Sequence, residues 1–465
     1  MKKKLYITRT IRIVALGLAV LACTLLLQRF VLVHYDGNRM RLDGYYLEEK
    51  DSLDVVFIGA SDCYASFAPG LAYEKFGITS FAYATASATA GASKTMVKEV
   101  MRTQNPQMIV IEINAFLYGF DNENKVSSVR NYIDNVPFNE NKLEYLQSGA
   151  VPVDPSKVEQ FNRPANDSAN TQATAPTDPN ATAPAGSDAT APTDPAATAP
   201  AVEQPTVPVT DELIEYYVPI VKYHGTWNDY PDPSGKYFTQ MVTQHTDGAT
   251  KLKGYRTQTA KFTPEPEYPC INNTLANNNK KLALLPEYDK MLRELLQFLK
   301  DEKIENVLFI RTPHMVDKST YGRFKRANAA GDIIKSYGFN YINFERDPET
   351  LAYPADNYYN MDHLNLYGAN KFTNYLGTML TEKYGVKPSE KSDKQKKNWD
   401  TAVEYYHRLY DYCDHYINNE YVKTGHIQTL EENKVVMTYI DNYAEKGEMP
   451  EIKVNATVPT DEPEV

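Results

Sequence analysis

The stretch Leu53-Asp-Val-Val-Phe-Ile-Gly-Ala-Ser61-Asp62-Cys63 decides the fold: a short apolar, β-branched run is closed by a glycine and followed at once by small and polar residues. Such a run fits a strand buried on both faces of a parallel sheet. Residues 108–113 repeat the pattern after Asn105-Pro106, and between the two runs Met96, Val97, Val100 and Met101 share one face of a helix predicted over 92–103. The alternation returns later in the chain. Pro286 opens a helix in which Tyr288, Met291, Leu292, Leu295, Leu296 and Leu299 recur at three- and four-residue steps, leading into a strand at 306–310. A helix over about 321–336, a strand at 340–344 and a helix over about 368–384 follow. The expected class is α/β, a three-layer doubly wound parallel sheet built from 51–120 and 283–385, with 121–282 as a large insertion.

Composition sets the flanks of this domain. The chain has 465 residues, 42% of them hydrophobic, enough for one sizeable core with appendages. A net charge of −11 leaves no basic excess to neutralise phosphates, which argues against nucleic acid as a partner. Lys2, Lys3, Lys4, Arg9 and Arg12 form a basic tail over 1–12 and precede an apolar run at 13–33, about the 20 residues a bilayer-spanning helix requires. With the basic cluster before it, the run is expected to be an uncleaved single-pass transmembrane anchor, its N-terminus cytosolic and the rest of the chain extracellular. Cys23 lies within it, so only Cys63, Cys270 and Cys413 face an oxidising compartment and no pairing is obvious.

Within the insertion, Ala173-Thr-Ala-Pro-Thr-Asp-Pro179 recurs as Ala189-Thr-Ala-Pro-Thr-Asp-Pro195 inside a Pro/Thr/Ala tract at 164–209 that cannot bury a core and is expected to be a disordered linker. Residues 450–465 have the same character. Tyr405, Tyr406, Leu409, Tyr412, Cys413 and Tyr416 lie at helical spacing in a C-terminal helical extension at 386–449, where the pattern reads as packing against the domain rather than as a ligand box. The His and Cys spacings offer no metal-site pattern, and no cofactor is implied.

Ligands in open parallel sheets bind beyond the carboxyl ends of the strands. There Ser61 follows the first run at the start of a helix, where backbone N–H groups can face a developing oxyanion. A Ser in that place is more often a helix cap. Glu112-Ile-Asn114 follows the 108–113 run, and Arg311-Thr-Pro-His314 follows 306–310. Tyr359-Asn360-Met361-Asp362-His363-Leu364-Asn365 leads into the last helix of the domain, where an imidazole can reach the first loop. A Ser after the first strand with an Asp-His before the final helix supplies nucleophile and base in serine-hydrolase roles. Cys63 reads as a small buried residue rather than a nucleophile. His314, His224 and Trp227 are candidate substrate contacts, each with a structural role as the competing reading.

These residues resemble the SGNH/GDSL hydrolase superfamily, most closely its membrane-anchored envelope branch, which includes the D-alanine transfer protein and the alginate O-acetyltransferases. The resemblance covers about 51–120 and 283–385. It is carried by Phe57-Ile-Gly-Ala-Ser61 with Phe67-Ala-Pro, and by Asp362-His363-Leu-Asn-x-x-Gly368-Ala; Tyr223-His224-Gly-Thr-Trp227 and Leu252-Lys-Gly-Tyr255 are similar to elements of envelope members. It implies a flavodoxin-like fold and a serine esterase or O-acyltransferase. Ser61 would be acylated with His363 as base, and the Asp62 N–H and Asn114 side chain would form the oxyanion hole. A polysaccharide or glycopolymer substrate is implied, with a membrane-bound O-acyltransferase as partner. Two positions depart from the family pattern. The region 81–91 has Ala, Thr and Ser where the family offers a Gly donor, and the usual Asp three residues before the histidine is Asn360. The third catalytic member is therefore open among Asp362, Asp356 and Asn360, or absent in a Ser-His dyad.

Overall fold

Each apolar run forms a strand because its side chains find cover on both faces. The structure, a computed structural model, describes residues 2–31, 37–118, 126–148, 215–217 and 251–417. The tract 164–209, the candidates His224 and Trp227, and the tail 450–465 lie outside the described residues. Helix α1 (Lys2–Val31) and α2 (Gly37–Tyr46) lead into β1 (Val55–Gly59), α3 (Ser61–Ser66), α4 (Pro69–Phe76), β2 (Ser80–Ala84), α5 (Ala92–Thr103) and β3 (Met108–Glu112). Then come α6 (Val126–Ile133), α7 (Glu140–Gln147), α8 (Pro286–Asp301), β4 (Val307–Arg311), α9 (Tyr321–Ser336), β5 (Asn340–Asn343), α10 (Leu366–Thr378) and α11 (Asp393–Tyr416). The five strands make one parallel sheet in the order β2-β1-β3-β4-β5, in register Val55 with Ser80 and Met108, Ile109 with Val307, and Leu308 with Asn340.

Alternate residues of the strands feed two separate cores, which makes the architecture three-layered. Val56, Ile58, Ile109, Ile111, Val307 and Phe309 pack with Met96 and Val97 of α5, Leu292 and Leu296 of α8, and Ala327 and Ile334 of α9. Val55, Phe57, Val110, Leu308 and Ile310 pack with Leu71 of α4 and Phe372 and Leu376 of α10 on the opposite face. The strand order reverses between β1 and β3, and such a reversal opens a crevice at the carboxyl edge in doubly wound sheets. The arrangement is consistent with a flavodoxin-like fold, as expected.

Two elements differ from the sequence reading. Strand β2, Ser-Phe-Ala-Tyr-Ala, lies in a stretch too rich in alanine to announce a strand; its pairing with β1 overrides weak local propensity. The run expected to be a transmembrane anchor lies in helix α1, but among the described residues no helix is long and apolar enough to cross a membrane. Residues 9–23 of α1 are exposed. Within that stretch Ile11, Ile13, Val14, Leu16, Leu18, Val20 and Leu21 are all more than half exposed.

Residues 251–282 of the insertion run along the sheet domain. Ala82 N–H donates to Lys253 O, Arg256 N–H to Tyr64 O, and Leu366 N–H to Gln258 O, each at 3.0 Å. Gly254 sits at φ 82°, and a Cβ there would collide with the Ala82 carbonyl, so this covering of the β2 edge requires glycine. Helix α11 starts on a capping box between Ser392 and Gln395 and buries Trp399, Tyr405, Tyr406, Leu409 and Cys413, with the Trp399 ring tilted against Tyr73 of α4 at a centroid distance of 5.2 Å. The members of the aromatic stripe whose side chains are described, Tyr405, Tyr406, Leu409 and Cys413, are packing.

Candidate active site

At the end of β1, Gly59 allows the chain to turn where any Cβ would come within 2.9 Å of Cys63 and Glu112. Helix α3 then begins at Ser61, its N-cap is Ala60, and no side chain caps it. The Ser61 hydroxyl is therefore not a capping group. It lies 2.8 Å from Nε2 of His363, which reaches it from the loop before α10. That loop is pinned by a bridge between Tyr358 and Leu364 and by the Tyr359 N–H donating to His363 O at 2.8 Å.

Behind the imidazole stands Asn360. Its Oδ1 lies 2.8 Å from His363 Nδ1 and also accepts the backbone N–H groups of Asp362 and His363, both at 2.9 Å. Two backbone donors can be met only by the amide's oxygen, so its orientation is set independently of the ring. An oxygen facing Nδ1 requires the proton to be on Nδ1, leaving Nε2 as the acceptor for Ser61 Oγ–H. Burial holds the His363 pKa below its ordinary value, although Asp362 and Asp62 pull the other way. The ring is thus neutral and basic near pH 7.

The other two candidates for this position are not behind the ring. Asp362, adjacent in sequence, turns away to accept from Arg323 Nη2 at 2.7 Å. Burial would raise its pKa, but Arg323, helped by His314 and His363, holds it well below the carboxylate range. Asp356 is exposed and accepts from Asn357 Nδ2 at 3.2 Å. The member left open by sequence is Asn360 in geometry.

On the sheet side of Ser61 lies a buried charged cluster. Asp62, Glu112, Arg311 and Glu345 are each at most 2% exposed, as is His314. Arg311 Nε and Nη2 both lie 2.9 Å from Glu345 Oε1, and Nη1 is 2.6 Å from Asn114 Oδ1 and 3.6 Å from both Asp62 and Glu112. Burial would raise the Asp62 pKa, yet His314, Arg311 and His363 hold it low; burial and the Asp62 charge push Glu112 well above the carboxylate range. Two buried like charges beside a shared cation disfavour each other, which biases Asp62 toward the ionised form and Glu112 toward the protonated one. Glu112 Oε1 and both Asp62 oxygens have no hydrogen-bond partner otherwise, and a proton on Glu112 Oε1 would supply one for a single Asp62 oxygen.

His314 is part of this cluster rather than a pocket wall. Its Nδ1 faces the Thr312 carbonyl at 2.6 Å and its Nε2 lies 3.3 Å from Asp62 Oδ2, at ion-pair distance without hydrogen-bond alignment. At 2% exposed it is not placed to touch a substrate, so the substrate-contact reading is corrected to a structural one. Cys63 is buried, and burial together with Glu112 and Asp62 pushes its thiol well up, which leaves it inert as a nucleophile.

No family model matches this chain, nor does any curated protein or solved structure. The site therefore stands on its geometry. Ser61, His363 and Asn360 form one connected line, Asp62 and Asn114 lie beside it through Arg311, and Asp362, Asp356 and His314 do not join it. Among the described residues, no group of three or more His, Cys, Asp or Glu side chains is arranged to hold a metal ion. Sequence reasoning assigned no role to Glu112, Arg311 or Glu345. Their signal was present: a charged residue ends each of the apolar runs Met-Ile-Val-Ile-Glu112 and Val-Leu-Phe-Ile-Arg311 where buried strands otherwise exclude charge.

Proposed function

We propose that this chain is a serine-dependent esterase or O-acyltransferase of the SGNH/GDSL kind, acting on acyl esters, acetyl above all, of a cell-envelope or extracellular polysaccharide. The observation that carries the reading is the line Ser61 Oγ to His363 Nε2 to Asn360 Oδ1, with both separations 2.8 Å. A hydroxyl, a neutral imidazole in the right tautomer and an orienting oxygen are the parts that nucleophilic acyl transfer requires. An amide oxygen serves as the orienter in the Cys-His-Asn arrangement of papain-like proteases.

In the reaction, Ser61 Oγ bonds to the acyl carbon as its proton passes to His363 Nε2. The carbonyl oxygen becomes an oxyanion facing the Asp62 N–H and the Asn114 Nδ2–H. Collapse breaks the ester bond, and His363 returns the proton to the departing alcohol. Water or a sugar hydroxyl then attacks the acyl-serine, its proton taken by His363; collapse breaks the Ser61 Oγ–acyl bond and His363 returns the proton to Ser61, so that hydrolysis and transfer differ by acceptor alone. The exposed apolar surface of α1 and the basic residues that precede its apolar run support membrane anchoring with the domain outside the cell, and a membrane-bound O-acyltransferase is the proposed source of acyl groups.

A fluorophosphonate probe tests the reading. The wild-type chain is expected to be labelled at Ser61, and Ser61→Ala and His363→Ala to lose at least about 10³-fold of the labelling rate. A well-folded wild type that takes no label at any pH would sink the enzyme and favour a non-catalytic SGNH-like scaffold for envelope assembly. Hydrolysis of an aryl acetate that is indifferent to added oligosaccharide would leave the esterase and remove the transferase.

A further inference from the structure

Arg311 ends a strand that is otherwise apolar, and its guanidinium has donors only. It can therefore meet only the oxygen of the Asn114 amide, which it does at 2.6 Å. The backbone N–H of Asn114 is held in turn by Glu112 Oε2 at 2.8 Å. With its oxygen and backbone both fixed, Asn114 presents Nδ2 on the opposite side, where its contact is the Tyr118 hydroxyl at a long 3.4 Å. A strong acceptor arriving there can replace so weak a bond.

We propose that Arg311 is a positioning residue for acyl transfer: by holding Asn114 Oδ1, it keeps the Asn114 amide hydrogens turned toward the developing oxyanion. This role rests on the acyl-transfer reading above. The planar fork is what the place demands. One guanidinium serves Asn114 with Nη1 while Nε and Nη2 are held by Glu345, so its rotation is fixed from one side and its donor aimed on the other. An ammonium, as a point charge, can sit against Glu345 or against Asn114 but cannot be clamped between them.

The test is a double-mutant cycle on the full-length chain, with kcat and KM for an aryl acetate read alongside thermal unfolding. Asn114→Ala is expected to lower kcat roughly 10²- to 10³-fold, the usual loss for one oxyanion donor. Arg311→Lys, which keeps the charge, is expected to lower kcat roughly 10- to 100-fold with KM unchanged. If Arg311 acts through Asn114, the double variant is no slower than Asn114→Ala alone. Losses that multiply, or full kcat in a folded Arg311→Lys, overturn the positioning role. Should Arg311→Lys fail to fold, Glu345→Gln is read in the same cycle, since loosening the clamp is expected to lower kcat by about tenfold through the same residue. A wild type that turns over no ester and takes no fluorophosphonate overturns the acyl-transfer reading itself and this role with it; an active wild type with an indifferent Arg311 overturns this role alone.

Discussion

The loop that carries Asn360 and His363 and the buried patch around Arg311 both meet the Ser61-Asp62 turn, yet one is neutral and half-buried while the other is charged and sealed. In the loop, a single amide oxygen collects three donors, two of them from its own backbone, within four residues of chain. In the patch, Arg311 draws in Asp62 from the start of α3, Glu112 and Asn114 from the end of β3 and just past it, and Glu345 from just past β5, all at most 4% exposed. Short-range hydrogen bonds set a tautomer at little cost in folding energy. Long-range charge pairing ties strand ends together, and each partner removed leaves another charge stranded in low dielectric. The first cluster is thus expected to control rate and the second both rate and stability.

Arg311→Met should show the larger consequence. With its cation gone, Asp62 keeps only His314 as a close basic partner and Glu345 loses both of its Arg311 contacts in a buried patch, and unfolding free energy is expected to fall by about 3–5 kcal/mol in a urea titration. Asn360→Ala, measured the same way, removes hydrogen bonds from a half-buried loop and should cost about 1 kcal/mol or a little more. Equal costs would erase the distinction between the two clusters.

The order reverses in rate per unit of stability for Asn360→Ala. Without the oxygen, His363 loses its tautomer preference and its orientation, and kcat for an aryl ester is expected to drop roughly 10- to 100-fold. That is less than the roughly 10⁴-fold seen when a triad Asp is replaced by an amide that selects the wrong tautomer. An unchanged kcat would show that Ser61 and His363 work as a dyad.

Much of this fold could be read before any coordinates, because runs such as 53–58, 108–113 and 306–310 are apolar on both alternations and only a sheet covered on both sides uses such runs. Ser61 and His363 were equally readable, from their place after a strand and before a helix. Asn360 was not. The residue type argues against it, and what qualifies it, two backbone N–H groups closing on its oxygen, is a property of loop conformation. Arg311 and Glu345 escaped for a different reason: they lie 34 residues apart, and nothing in local pattern says that two strand-end charges on neighbouring strands will face each other. Strand β2 was hidden by its alanines, whose partner is the β1 ladder rather than their own propensity.

The smallest and most diagnostic change is Asn360→Asp, which restores a carboxylate behind the ring. In the wild type, burial keeps the His363 pKa below its ordinary 6.5, so the acid limb of kcat/KM is expected to have its midpoint below pH 6.5. A carboxylate at the Asn360 Oδ1 position, 2.8 Å from Nδ1, favours the imidazolium and raises that pKa by roughly one unit or more. A raised pKa means that more of the base is already protonated at mildly acid pH. The variant should therefore be slower than wild type near pH 5.5 and no slower at pH 8, its limb displaced upward. A limb that does not move, in a variant that is folded and labelled, would mean that residue 360 does not face the ring during catalysis. An upward shift accompanied by a higher plateau would identify the missing charge, rather than geometry, as what limits the neutral arrangement.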